Sequence, residues 1–248
     1  MIKPPYRITS KVLNLVAKIT EELVHIENNL DKRISPKLRK TNRIKTLIGT
    51  LEIEDIFVEK DKITAILDGK KVVGIADEIK EASGVIDAYK NLEKYNLYSV
   101  ADLLKSHKDL MGRVLNSAGN FRTVNVKVAK HIAPPYDRVQ NLVKNLFDWL
   151  KMSDEHPLIK SSILHFELEF IHPFSDGNGR IGRLWQSLIL YNWKNVFQFI
   201  PVENMIRKRQ QAYYDALEKS GKIGESTPFI EYMLDAILES IVEVKEKK

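Results

Sequence analysis

Thirteen consecutive residues, Ile171-His172-Pro173-Phe174-Ser175-Asp176-Gly177-Asn178-Gly179-Arg180-Ile181-Gly182-Arg183, bring together a histidine, a carboxylate, an amide, two loop glycines and two arginines. Gly177 and Gly179 permit a tight bend and a close approach to a ligand. The apolar series Ile181, Leu184, Trp185, Leu188 and Ile189 then predicts a helix starting near Asn178. The loop therefore opens onto a helix N-terminus, where unpaired N–H groups and the macrodipole favour an anion. Two arginines on that first turn are unfavourable unless an anion arrives, and a polyphosphate answers both the N–H groups and the guanidinium pair. Asp176 at the mouth of the site would repel phosphates unless a bridging Mg²⁺ intervened, an ion that takes one or two protein carboxylates and completes its shell with water and phosphate oxygens. His172 has no second His or Cys at ligand spacing to indicate zinc, and is the side chain best suited to accept a proton near neutral pH. These residues together predict a Mg-nucleotide held by its phosphates beside a base that activates a hydroxyl. Taken singly, the same residues read as a helix end and turn residues, but that reading leaves Arg180 and Arg183 unexplained.

The run from His172 to Arg183 resembles the signature of Fic-domain proteins, His-x-Phe-x-Asp/Glu-Gly-Asn-Gly-Arg-x-x-Arg, with every specified position filled. The resemblance implies a mostly α, Fic-type helical bundle with one short β-hairpin flap. It also implies transfer of AMP from ATP to a Ser, Thr or Tyr hydroxyl of a target protein. On that pattern His172 is the catalytic base and Asp176 the Mg²⁺ ligand. Gly177, Asn178 and Gly179 form the nest around the α- and β-phosphates, Arg180 also meets the phosphates, Arg183 meets the γ-phosphate, and Phe174 anchors the loop in the core. One of the pair Tyr213 and Tyr214, here Tyr214, is expected to border the adenine. The Asn that often follows in the family is replaced by Ser220-Gly221-Lys222. A kinase-like relative would carry a bulkier basic residue at Gly179. Transfer of UMP or phosphocholine, removal of AMP, and a nucleotide-binding regulatory module held inactive are the alternatives.

Two further stretches fit the resemblance. Gly119 to Val128 alternates β-branched and polar residues and predicts a strand closed by Ala133-Pro134-Pro135. In Fic proteins a similar stretch is a flap that pairs with the target, so Thr123, Val124, Asn125 and Val126 are the expected target-binding edge. Thr50-Leu51-Glu52-Ile53-Glu54-Asp55 resembles the inhibitory motif Ser/Thr-x-x-x-Glu-Gly/Asn of a subclass with an N-terminal inhibitory helix, departing from it at Asp55. Glu54 would pair with Arg183 and deny it to the γ-phosphate, with Thr50 as the motif's other end. His165, Glu169 and His107 are assigned no role in the chemistry.

The elements that must position these residues are helical. Val12, Leu15, Val16, Ile19, Leu23, Ile26 and Leu30 predict an amphipathic helix capped at Thr9 or Ser10, and a second runs from Pro36 to about Glu54. Asp68-Gly69 marks a turn and residues 70–74 a short extended piece. Helices are expected at about 76–95, 99–116, 135–152, 157–171, 178–193, 203–220 and 227–246, the last fraying through Lys247-Lys248. Residues 1–60 would form an N-terminal helical extension bearing the inhibitory motif, and residues 61–248 the catalytic domain with its C-terminal helices.

Composition is that of a globular chain: 248 residues, 44% hydrophobic, net charge +6 and no cysteine. Disulfides and thiol catalysis are thereby excluded. The basic stretch Lys37, Arg39, Lys40, Arg43 and Lys45 is not interleaved with aromatics, so a solvated helix face is expected rather than nucleic-acid binding. No apolar run reaches membrane-span length, and Met1-Ile2-Lys3-Pro4-Pro5-Tyr6 has no signal-peptide core, which with ATP as substrate points to the cytoplasm. The expected partner is a target protein bearing a hydroxyl, with a homodimer as a further possibility.

Overall fold

The computed structural model describes residues 3–27, 35–128 and 131–246. Leu30 of the first predicted helix, the segment Met1-Ile2 and the terminal Lys247-Lys248 lie outside the described residues. Eleven α-helices and one two-stranded hairpin occur among the described residues. They are α1 (Ser10–Glu27), α2 (Pro36–Glu52), α3 (Lys60–Leu67), α4 (Ala76–Lys90), α5 (Val100–Met111), β1 (Lys127–Val128), β2 (His131–Ile132), α6 (Tyr136–Met152), α7 (Pro157–Ile171), α8 (Asn178–Trp193), α9 (Val202–Lys208), α10 (Gln210–Ile223) and α11 (Thr227–Glu246). The strands are antiparallel, with Lys127 opposite Ile132 and Val128 opposite His131.

The centre is α7, which starts on the Pro157 that suits a first helical position and buries residues on all its faces, as expected for a helix surrounded by others. It packs most closely against α8, and α11 and α6 cover it further. Trp185, Phe174, Phe229, Ile163 and Leu188 are fully buried between these helices. Helix α1 lies along α11, its apolar stripe Val12, Leu15, Ile19, Leu23 and Ile26 buried, with Lys11–Asp235 and Lys245–Glu22 ion pairs along the seam. The apolar core runs without a break from Val12 to Val244. Helix α2 packs on α9 and thereby brings its C-terminal end beside α8.

Several expected boundaries shift for local reasons. The helix expected over 203–220 is two helices broken at Arg209, whose φ of −119° leaves the helical region; no Gly or Pro marks the break. The helix expected over 76–95 ends at Lys90 and continues as a 3-10 turn, Leu92–Lys94. The helix expected over 99–116 stops at Met111, after which the chain turns toward the site loop. Helix α3 has too few residues for its periodicity to stand out in the sequence, and residues 70–74 join no ladder. The strand expected from Gly119 onward shortens to Lys127–Val128, because residues 121–126 are pinned as a loop by the buried Arg122. Among the described residues, no helix is long and apolar enough to cross a membrane.

Candidate active site

The site is the loop joining the two central helices. Helix α7 ends at His172, held in the left-handed region at φ 51°, a conformation that costs a non-glycine residue energy. The loop is braced from beneath. Phe174 is fully buried and stacks on His107 with ring centroids 3.7 Å apart. Asn178 spends its side chain on the loop itself: its Oδ1 accepts from Phe174 N and its Nδ2 donates to Phe174 O, both at 2.9 Å. Its amide is thereby committed to shaping the turn. His107 Nδ1 accepts from Gly119 N at 2.9 Å, so Nε2 carries the proton and donates to the Asp176 carbonyl at 3.0 Å. Burial drops the His107 pKa to about 4, which keeps it neutral and preserves that bridge.

Gly177 stands at φ 79° and starts α8, so a side chain there would be strained. Asp176 projects outward, its side chain 61% exposed, with Oδ1 accepting from Gly177 N at 2.6 Å. Gly179 is demanded by space: a Cβ there would lie 2.5 Å from Glu54 Oε1 and 3.0 Å from Arg183 Nη1. Burial lowers the His172 pKa below its ordinary value against the opposing pull of the Glu169 backbone, and Arg122 and His131 lower it further, so the imidazole is neutral and able to accept a proton at neutral pH. Its Nδ1 is buried without a hydrogen-bond partner.

Both arginines of the first turn meet carboxylates from distant parts of the chain. Arg183 is 1% exposed; its Nε donates to Thr50 Oγ1 at 2.9 Å, and its Nη2 donates to Thr50 O at 3.2 Å and to Glu54 Oε1 at 2.6 Å. Burial opposes the Glu54 charge, but the attraction and hydrogen bond of Arg183 hold its pKa below the ordinary value, with Arg180 and His172 adding to the pull. Helix α2 presents Glu54 by ending in a Schellman motif: Ile56 N bonds Leu51 O at 3.1 Å, Asp55 N bonds Glu52 O at 3.2 Å, and Asp55 takes the left-handed φ of 58°. Asp thus fills the position that Gly or Asn fills in the motif it resembles. Glu52 points elsewhere and pairs with Arg207. Arg180 is 3% exposed and pairs with Glu81 of α4, its Nη2 lying 3.8 Å from Asp176 Oδ1.

Tyr214 is brought to the same place, though to the protein's own backbone: its hydroxyl donates to Ile53 O at 3.1 Å, beside the Gln210 Nε2 that donates to the same carbonyl at 3.0 Å. Helix α10 therefore clamps the turn carrying Glu54. On the opposite rim, Thr123, Val124 and Asn125 are exposed and Val126 half-buried. Their loop is fastened by Arg122, whose Nε donates to His172 O at 2.8 Å and whose Nη groups reach Val124 O, Pro134 O and Ile171 O. His131 of β2 bonds Phe170 O at 2.8 Å and ties the hairpin to α7.

Sequence reasoning missed Glu81 as the partner of Arg180 and Arg122 as the link between flap and His172. The cations at the helix start called for an anion, read as a polyphosphate, and nothing local indicated that one of the chain's own acids would meet Arg180.

Comparison with known proteins agrees with this geometry. A model of the Fic/DOC family matches residues 97–190. The crystal structure of a Fic family protein from Desulfovibrio desulfuricans G20 is 41% identical, superposes with a TM-score of 0.92, and is matched over 98% of this chain and 76% of that one. A protein adenylyltransferase Fic of Nematostella vectensis is 28% identical over 173 residues, 68% of this chain and 38% of that protein. A protein adenylyltransferase fic-1 of Caenorhabditis elegans is 26% identical over 241 residues, 91% of this chain and 45% of that protein. The chain spans less than half the length of these curated relatives. With a helical bundle around the His172 to Arg183 loop and a relative this similar over most of both chains, the protein belongs to the Fic/DOC family.

Proposed function

We propose that this chain is a protein adenylyltransferase that moves AMP from ATP to a hydroxyl of a target protein, and that Glu54 restrains it by occupying Arg183. The observation that carries the reading is the convergence of a neutral His172, a glycine-shaped helix N-terminus and two buried arginines on one loop. Curated relatives named protein adenylyltransferase support it at the level of the family.

His172 accepts the proton of the target hydroxyl; the hydroxyl oxygen attacks the α-phosphorus, the bond to the β-phosphate oxygen breaks, and pyrophosphate leaves. The backbone N–H groups at the start of α8 and the Arg180 guanidinium take up negative charge on the phosphates. Asp176 fits Mg²⁺: a single exposed carboxylate beside the phosphate nest suffices for an ion whose other ligands are water and phosphate oxygens, and bound there the ion would neutralise charge on the leaving pyrophosphate. Residues 123–125 are exposed on a loop that Arg122 ties to the His172 carbonyl, a rim on which a target segment would align its hydroxyl. Because Glu54 holds Arg183 at 2.6 Å, the γ-phosphate has to displace it before the nucleotide adopts the productive pose.

Incubation with ATP labelled in the α-phosphate tests this reading. The Glu54→Gly variant labels itself or a target, and His172→Ala abolishes labelling in either background. Binding of ATP without any labelled product in the Glu54→Gly variant would refute the reading.

A further inference from the structure

A cavity outside the loop just described lies between α2, α4, α8 and α9. Its volume is about 100 Å³, below the roughly 150 Å³ of a cavity that takes benzene, so its occupant is a molecule of a few heavy atoms. Tyr89, Phe197 and Phe199 give it aromatic walls. Its floor is Glu203, 2% exposed, whose Oε1 accepts from the Tyr89 hydroxyl at 3.0 Å and from the Ser187 hydroxyl at 2.6 Å. Among the described residues no cation stands within ion-pair distance of Glu203; Arg183, whose field reaches it, is bound to Thr50 and Glu54. A carboxylate so deeply buried costs free energy until a cation pairs with it.

The mouth has the opposite sign. Arg43 and Lys90 are exposed there, and Arg43 has no ion-pair partner among the described residues. Glu93, the acid at the rim, accepts from the Tyr191 hydroxyl at 3.1 Å. A simple anion is repelled by the floor and a simple cation by the mouth, whereas a molecule with an ammonium at one end and a carboxylate at the other meets both, its ammonium also favoured by the aromatic walls. The cavity is joined to the restraint on Arg183 through backbone. Helix α2 supplies Arg43, Thr46 and Leu47 to the lining and then Thr50, which holds Arg183. Beside Thr50, Gly49 rests directly on α9: a Cβ there would stand 2.6 Å from Asn204 N and 2.7 Å from the Glu203 carbonyl carbon. Movement of α2 away from α9 opens this seam, and a ligand spanning Arg43 and Glu203 resists it.

We propose that this cavity binds a small zwitterion, an amino acid of the size of glycine or alanine, with its ammonium on Glu203 and its carboxylate on Arg43, and that the bound molecule holds α2 against α9 and so keeps Glu54 on Arg183. Binding only the docked arrangement of α2, the ligand stabilises that arrangement by mass action. The effect on activity rests on the adenylyltransferase reading; the binding site does not.

Calorimetric titration of the full chain with glycine and with alanine, without ATP, gives saturable binding. It weakens by about tenfold or more in Glu203→Gln and in Arg43→Ala, the loss of one charge-assisted hydrogen bond in each case. Ethylammonium and acetate, which carry one charged end each, bind more weakly than either amino acid. Absence of saturable binding by both amino acids, or binding that Arg43→Ala leaves unchanged, overturns the site; tighter binding of ethylammonium or acetate overturns the zwitterion. Should Glu203→Gln fold poorly, the exposed Arg43 decides. Hydrogen exchange of the amides from Leu47 to Glu54 slows when alanine is added and does not slow in Arg43→Ala; unchanged exchange in the unsubstituted chain overturns the hold on α2. With α-labelled ATP, alanine lowers labelling by the unsubstituted chain and leaves Glu54→Gly unaffected, and an equal fall in both overturns the coupling to Glu54. A Glu54→Gly variant that binds ATP yet never labels refutes the functional reading instead, and the cavity is then judged by the titration and the exchange.

Discussion

Glu54→Gly is expected to move stability and activity in opposite directions. Arg183 is 1% exposed and Glu54 is bound to it at 2.6 Å with 30% of its side chain accessible, so the pair is shielded from water. Removing one partner of such a pair leaves an uncompensated buried charge, at a cost of about 3 kcal/mol. The two hydrogen bonds from Arg183 to Thr50 survive and offset part of the loss, so about 2–3 kcal/mol is the expected destabilisation. The γ-phosphate, by contrast, no longer has to displace a charge-assisted hydrogen bond of roughly 1.5–3 kcal/mol. At 1.4 kcal/mol per factor of ten, ATP-dependent labelling at subsaturating ATP should rise by about 10- to 150-fold. Denaturant unfolding gives the first quantity and initial rates of labelled AMP incorporation the second. Glu54→Gln, which keeps a neutral hydrogen bond, should fall between the two chains on both scales. A variant that is less stable yet no more active would show that the pair is a structural bridge and refute the restraint.

Arg122→Ala frees the flap from the carbonyls of His172, Val124 and Ile171 and should cost about 2–4 kcal/mol in chemical denaturation, with target labelling falling more than ATP binding. Glu81→Gln removes the charge opposite Arg180 while keeping a hydrogen-bonding amide; the freed cation should strengthen binding of ATP severalfold in a direct titration, and unchanged affinity would remove Arg180 from the phosphate site. Burial raises both Glu167 and Glu169 to about 7, so the folded chain keeps protons that the unfolded chain has lost above the ordinary value of 4.5. Stability should accordingly fall as pH rises from about 4.5 to about 7, and Glu167→Gln should flatten part of that slope in urea titrations. The depressed Glu54 works in the opposite sense: its contribution is full above pH 4.5 and is lost as pH falls through its lower folded value, so the unsubstituted chain and Glu54→Gln should converge in acid.

Most of the helices were legible because amphipathic periodicity is a local property. Helices α6, α8 and α11 follow from apolar spacing, α7 from its nearly continuous apolar run, and Pro157 and Gly177 mark two of their starts. The break at Arg209 was not legible, because no residue there forbids a helix; α9 packs chiefly on α2 and α10 chiefly on α11, and the chain bends between them. The flap was overread for a related reason. Alternation from Gly119 predicts a strand, but a ladder needs a partner, and the carbonyls that Arg122 captures hold residues 121–126 in a loop instead.

The grouping of the candidate site residues was written in the sequence, since His172, Asp176, the two glycines and the two arginines sit within one loop and one helical turn, where spacing along the chain is also spacing in space. The Glu54 turn could be read as a motif, with the left-handed Asp55 as its one departure. Its contact with Arg183 spans 129 positions, and that of Glu81 with Arg180 spans 99. Which carboxylate meets which arginine, and where Arg122 anchors the flap, depend on how helices pack. Periodicity says which face of a helix is apolar, but the crossing of two helices is settled by side chains interlocking across the core, and only there do residues remote in sequence acquire the distances that decide charge.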